Sequence, residues 1–176
     1  MTHLAERDSE RPPVLLVDVD GVISLFGFER EARPPGRFVV VDGIPHYLSE
    51  HAGLLLARLA GTFECVWCTG WEDRAPEHLP HLLGWTGAPF PHLSFDASPA
   101  AEGRHWKLAA IDAHVGPDRP VAWVDDDLDA RVDAWADARS GPTLLVRTDP
   151  AAGITEGDAE TLEAWARKVM DVNASW

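Results

Sequence analysis

Five short apolar runs constrain this chain more than anything else in it. Val14–Asp18, Phe63–Cys68, His92–Phe95, Pro120–Val124 and Thr143–Arg147 are each four to six residues long. Runs of that length without polar alternation suit strands buried on both faces, as in a parallel sheet. Helical patterns separate them. Ser49–Ala60 opens on a serine and closes before Gly61, a plausible cap at each end. Arg74–Leu83 is a weaker helix. Arg104–Val115 gathers Trp106, Leu108, Ala109 and Ile111 near one face and stops at Gly116-Pro117, and Leu128–Ala138 and Asp158–Val172 complete the set. Alternating strands and helices predict a doubly wound α/β fold. One segment breaks the alternation. Gly21–Leu48 contains Arg33-Pro-Pro-Gly36, an apolar stretch Phe38–Val41 and an Asp42-Gly43 turn, and it reads as a β-hairpin flap over the C-terminal end of the sheet. In open α/β sheets that end is where ligands bind.

The chain has 176 residues, which suits one domain over residues 14–176 behind a disordered leader at 1–13. The leader lacks the basic start and apolar core of a signal peptide, and no apolar run is long enough to cross a membrane. A cytoplasmic protein is the default expectation. The formal net charge of −14 argues against nucleic-acid binding through the general surface, which requires clustered Lys and Arg. It leaves room for a local basic pocket, and for an acidic metal site.

The chemistry sits at the ends of the runs. Asp18-Val-Asp20-Gly21-Val22 closes the first, and two carboxylates there are costly unless they bind a cation or react. Gly21 lets the chain turn away sharply. The second run ends in Cys68-Thr69-Gly70, which supplies a hydroxyl and a backbone N–H. Lys107 stands near a helix start, and the fourth run leads into Asp125-Asp126-Asp127. Three adjacent aspartates repel one another and call for a cation, although residues 125–129 could also cap the next helix.

In this order the residues resemble the haloacid dehalogenase (HAD) superfamily. Its D-x-D-G-[TV] motif matches Asp18–Val22, its second-strand Thr or Ser matches Thr69, its Lys matches Lys107, and its paired acids match Asp125-Asp126. The likeness covers roughly residues 14–147. It implies a three-layer Rossmann-like parallel sheet of five core strands in the order 5-4-1-2-3, with a flap after the first strand and no cap domain. It also implies a Mg²⁺-dependent phosphatase working through an aspartyl-phosphate. Asp18 would be the nucleophile and Asp20 the acid and base. Thr69, Gly70 and Lys107 would bind the phosphoryl group. Asp18, the Asp20 carbonyl and Asp125 or Asp126 would hold the metal, with Asp126 an alternative partner for Lys107. Superfamily members lacking the second acid generally do other chemistry, so Asp20 favours phosphate esters.

An open, capless site resembles members that act on macromolecules or are covered by a partner. The Trp67–Trp71 and Trp123–Asp126 contexts are similar to HAD domains of bacterial RNA-repair proteins. The substrate is then a phosphorylated small molecule or a nucleic-acid end. A non-catalytic module binding a phosphorylated ligand is the competing reading, and phosphoryl transfer to an acceptor other than water a third. Trp71, Arg74, Arg104 and Trp106 flank the motifs and are candidate substrate contacts. Trp67, Trp123, Trp135 and Trp165 read as core. Cys65 and Cys68 read as buried strand residues pointing to opposite faces. His78 and His81 share a helix face without an evident third metal ligand. His46 in the flap could touch substrate, and nothing in the sequence decides it. The loop Asp149–Thr155 reads as an ordinary connection to the last helix.

Overall fold

A computed structural model describes residues 11–95 and 103–173. The expected leader lies outside the described residues except for 11–13. Four of the apolar runs form a parallel sheet of β1 (Val14–Val17), β5 (Glu64–Trp67), β6 (Val121–Asp125) and β7 (Thr143–Arg147) in the order β5-β1-β6-β7. The register pairs Leu16 with Val66 on one side and with Trp123 on the other. Consecutive residues face opposite ways, so each strand feeds two cores. Leu15, Val17, Cys65, Trp67 and Val124 pack beneath α1 (Ala52–Leu59), α2 (Arg74–Leu82) and α5 (Glu156–Asn173). Val14, Leu16, Val66, Cys68 and Trp123 pack against α3 (Leu108–Val115) and α4 (Ala130–Ala138). The two cysteines therefore diverge, as their spacing requires. Both thiols are free, and burial pushes Cys65 up to about 12 and Cys68 higher still.

The third run in the chain departs from expectation. His92–Phe95 forms no strand; a single parallel bridge joins His92 to Trp67. Its position beside β5 is the expected one, held by Trp67 N–H on the Pro91 carbonyl at 2.8 Å and Leu93 N–H on the Trp67 carbonyl at 2.9 Å. The ladder cannot extend because Pro91 has no N–H and Phe95 N–H donates instead to Glu72 Oε1 at 2.7 Å. Two helix starts also move. Ser49 ends a strand, with its N–H on the Ile23 carbonyl, and cannot cap α1, whose N-cap is His51. Arg104–Trp106 form a turn ahead of α3, and Lys107 is its N-cap. Asp129 caps α4 by accepting the Arg131 and Val132 N–H groups. Thr155 and Asp158 cap α5 reciprocally.

The flap is a three-stranded antiparallel sheet of β2 (Ser24–Leu25), β4 (Ile44–Ser49) and β3 (Gly36–Val41), in that order. Asp42 and Gly43 make the two-residue turn with φ of 51° and 80°, the left-handed pair such a hairpin favours. The loop at 148–154 does more than connect. Phe26 N–H bonds the Pro150 carbonyl, Ile154 N–H bonds the Val22 carbonyl, and Thr148 Oγ1 donates to the Gly21 carbonyl at 2.8 Å. The loop thus clamps the turn that follows Asp18. Gly153 makes this possible: its φ is 71°, and an added Cβ would stand 2.5 Å from the Val22 carbonyl oxygen. Gly153→Ala is expected to destabilise the protein by more than ~1 kcal/mol, as a lower denaturant midpoint at unchanged slope.

Candidate active site

The site forms where the parallel strands end. Asp18 follows β1 directly, and its N–H is tied to the Val124 carbonyl at 3.0 Å. Asp125 is the last residue of β6 and is fully buried. Lys107 reaches in from the start of α3 and is also buried, with Nζ 2.6 Å from Asp125 Oδ2 and 3.2 Å from Asp18 Oδ1. Burial alone would lower the lysine's proton affinity, yet the two carboxylates outweigh it and raise the group above its usual range. Asp125 is held on every side. Its Oδ2 also accepts Trp123 Nε1–H at 3.0 Å, and its Oδ1 accepts Asp127 N–H at 2.9 Å. Asp125, not Asp126, is therefore the partner that orients Lys107.

Asp126 sits across the turn from Gly21. A Cβ on Gly21 would stand 2.3 Å from Asp126 Cγ, and Gly21 has a φ of 72°. The glycine supplies both the turn and the space for that carboxylate. Carboxylate oxygens of Asp18, Asp125 and Asp126 come within 4.8 Å of one another. Burial pushes the Asp18 carboxyl up to about 7; Lys107 opposes this, Asp125 adds to it, and the Val19 N–H and Thr69 hydroxyl draw it back. Burial, then Asp125, also raises Asp126. Three acids against one ammonium leave a negative excess. An all-oxygen donor set of this kind fits a hard divalent cation such as Mg²⁺.

Thr69 is buried beside Asp18 and accepts Trp71 N–H at 3.3 Å. Gly70 is exposed, and among the described residues no group accepts its N–H. Asp20 differs from Asp18 in kind. Its side chain is 51% exposed and stands apart from the acidic trio. Its Oδ2 accepts Trp71 Nε1–H at 3.0 Å, and Oδ1 lies 3.8 Å from His46 Nδ1 of the flap. Trp71 is thereby buried under His46, with ring centroids 4.6 Å apart, and has no free face for a substrate. Trp106 is 46% exposed, edges Phe95, and lies next to Gly70 and above Lys107. Arg74 pairs with Asp42 at 3.6 Å and stacks over Trp71. Arg104 is bonded to Asp112, which also accepts Trp135 Nε1–H. His78 likewise faces Asp42, at 3.9 Å.

Three contributors to this site have a place that the sequence reading does not give them: Trp123, read there as core; His46, left undecided; and Thr148, not singled out. Trp123 was readable as core, but residues two apart in a strand share a face, so its indole and Asp125 point the same way. His46 and Thr148 meet the site only through long-range packing, with no local signal.

No protein-family profile matches this chain, and no curated protein does. Among solved structures it is similar to a hypothetical protein from Xanthomonas campestris, at a TM-score of 0.44 and 14% identity over 97% of this chain and 92% of that one. A putative 3-deoxy-D-manno-octulosonate 8-phosphate phosphatase from Vibrio cholerae matches at 0.41 and 12%, over 94% and 89%. The 3-deoxy-D-manno-octulosonate 8-phosphate phosphatase from Moraxella catarrhalis, solved with magnesium, phosphate and KDO, matches at 0.41 and 13%, over 99% and 98%. No helix among the described residues is long and apolar enough to cross a membrane.

The acidic excess gives a stability prediction. A carboxyl raised from 3.8 to about 7 by folding binds its proton better in the native state. The metal-free protein therefore loses stability as pH rises from about 4 to about 7, by a few kcal/mol in order of magnitude. Asp18→Asn removes this loss. In EDTA at pH 8 the variant is expected to melt above the wild type, and the gap is expected to close towards pH 4.

Proposed function

We propose that this chain is a Mg²⁺-dependent phosphomonoester hydrolase in which Asp18 is the nucleophile. The observation that carries the reading is the buried cluster of Asp18, Lys107 and Asp125, with Asp126 and Thr69 at its edge. Burying two acids around one lysine, with a third half-buried beside them, is unfavourable for stability alone, and strongly perturbed groups of this kind concentrate at reactive sites. Asp18 and Asp126 would hold the metal, with the Asp20 carbonyl; Asp125, saturated by Lys107, Trp123 and Asp127, completes the negative field. Bound Mg²⁺ would neutralise the repulsion between carboxylate and phosphate.

The chain's own residues account for the rest. Asp18 attacks phosphorus, forming an O–P bond as the bond to the leaving oxygen breaks. Asp20, exposed beside it, gives that oxygen its proton. Water then attacks the phosphorus, Asp20 takes the water's proton, and the Asp18–phosphorus bond breaks to release inorganic phosphate. Thr69 and the Gly70 N–H hold the phosphoryl oxygens, and Lys107 offsets the charge that accumulates between Asp18 and phosphorus. Two carboxylates in such different surroundings favour this division over a module that only binds. Of the flanking candidates, Trp106 is the one with an exposed ring at the mouth, which favours a planar group on the ester. Arg74 has an ion pair to give up before it can contact a phosphate, and Arg104 is engaged with Asp112. A nucleic-acid end remains the second substrate class, compatible with a mouth that no cap closes among the described residues.

Hydrolysis of an aryl phosphate tests the reading. Release is expected with Mg²⁺, to be abolished by EDTA and restored by metal. Asp18→Asn is expected to lower turnover by a factor on the order of 10³ or more. A variant that retained turnover would overturn the nucleophile, and an inert wild type would leave the binding module standing. Lys107→Ala is expected to lose roughly 10²–10³ in turnover. It should also unfold more readily, by ~3–5 kcal/mol, because it strands two buried carboxylates.

A further inference from the structure

The two oxygens of Asp20 have different surroundings. Oδ2 is fixed by the Trp71 indole N–H at 3.0 Å. Oδ1 accepts no hydrogen bond among the described residues and stands 3.8 Å from His46 Nδ1, too far for one. His46 is itself held: Nδ1 is 3.0 Å from Ser24 Oγ, and its ring lies against Trp71. Ser24 is buried in β2, which pairs with β4, the strand that carries His46. Trp71 is fixed in turn through its own N–H on Thr69 Oγ1. A side chain 51% exposed would ordinarily sample several rotamers; this one is bracketed by an indole from the sheet edge and an imidazole from the flap.

We propose that Trp71 and His46 are positioning residues that hold Asp20 with Oδ2 engaged and Oδ1 free, so that the proton delivered to the leaving group resides on Oδ1. The flap is then part of the acid's mounting. The inference rests on the phosphatase reading and adds to it the source of the acid's orientation. Its consequence is specific. Proton delivery matters greatly when the leaving group is a basic alkoxide, and little when it is a stable phenoxide. Loss of orientation must therefore act unevenly across leaving groups, whereas general damage to the site acts evenly.

The experiment compares kcat/KM for an alkyl phosphate such as glycerol phosphate with that for dinitrophenyl phosphate. This ratio reports only steps through departure of the leaving group. His46→Ala and Trp71→Phe are each expected to lose at least about tenfold more on the alkyl ester than on the activated one, within the roughly 10²–10⁴-fold range of acid catalysis. His46→Asn, which keeps a polar atom near Nδ1, is expected to recover most of the alkyl rate. Because Trp71 is buried, a second measurement needs no turnover. The Trp71 indole N–H resonance, assigned as the signal missing in Trp71→Phe, should shift and exchange faster with solvent in Asp20→Ala and in His46→Ala. Equal losses on both esters, or an indole signal indifferent to Asp20, would overturn the proposal and leave the phosphatase reading intact. A wild type inert to every ester overturns that reading, and the proposal falls with it.

Discussion

A single buried ammonium holds this architecture together at the C-terminal edge of its parallel sheet. Lys107 lies between Asp18 and Asp125, and each of the three would be expensive to bury alone. Together they still carry an excess of negative charge. The indole of Trp123 and the N–H of Asp127 remove part of the cost by engaging two further lone pairs of Asp125. Among the described residues no comparable donor set serves Asp126, which has its own backbone N–H and stands against Gly21. The site is thus complete in its hydrogen bonds on the Asp125 side and short of positive charge on the Asp126 side. That asymmetry is what a divalent cation would correct.

The scaffold explains how residues so distant in sequence meet. Parallel strands all release their chains at one edge, so β1, β5 and β6 deliver Asp18, Thr69 and Asp125 to the same crevice. Two further elements lock the geometry. Thr148, just beyond β7, donates its N–H to the Asp125 carbonyl and its hydroxyl to the turn at Gly21. The following loop then clamps residues 22–26, from which the flap begins. Movement of the turn that follows Asp20 would have to break bonds to both the loop and the flap. The placement of these two carboxylates, Asp18 and Asp20, is therefore set by the same contacts that close the core.

Much of this was legible in the sequence, and the rest failed for identifiable reasons. Four apolar runs became strands because a sheet buried on both faces tolerates no polar alternation. The remaining run, His92–Phe95, had the same appearance but follows Pro91, whose missing N–H is invisible to hydrophobic patterning. Asp18, Thr69, Lys107 and Asp125 could be found because each lies at the end of a strand or the start of a helix, where a polar residue in an apolar context stands out. The Asp42-Gly43 hairpin was readable for an equally local reason. The partners of Asp20 were not: Trp71 is 51 residues away and His46 is 26, and only folding decides that an indole N–H meets a carboxylate. Arg104 looked free because its partner Asp112 sits two turns further on, across a boundary where the helix had been started too early.

Asp18 and Asp20 show how a two-residue spacing can give two carboxylates different surroundings. In a continuing strand they would share a face and an environment. Gly21 bends the chain immediately after them, and the consequence is divergence. Asp18 stays beneath the sheet edge, with Lys107 as its cation and burial raising its affinity for a proton. Asp20 turns out towards the flap, where solvent, an indole and an imidazole surround it. A nucleophile benefits from fixed geometry and a neighbouring positive charge, whereas an acid that must also act as a base benefits from access to water. Moving either carboxylate into the other's place would forfeit one of these conditions. The turn at Gly21, more than the identity of the acids, is what makes them different groups.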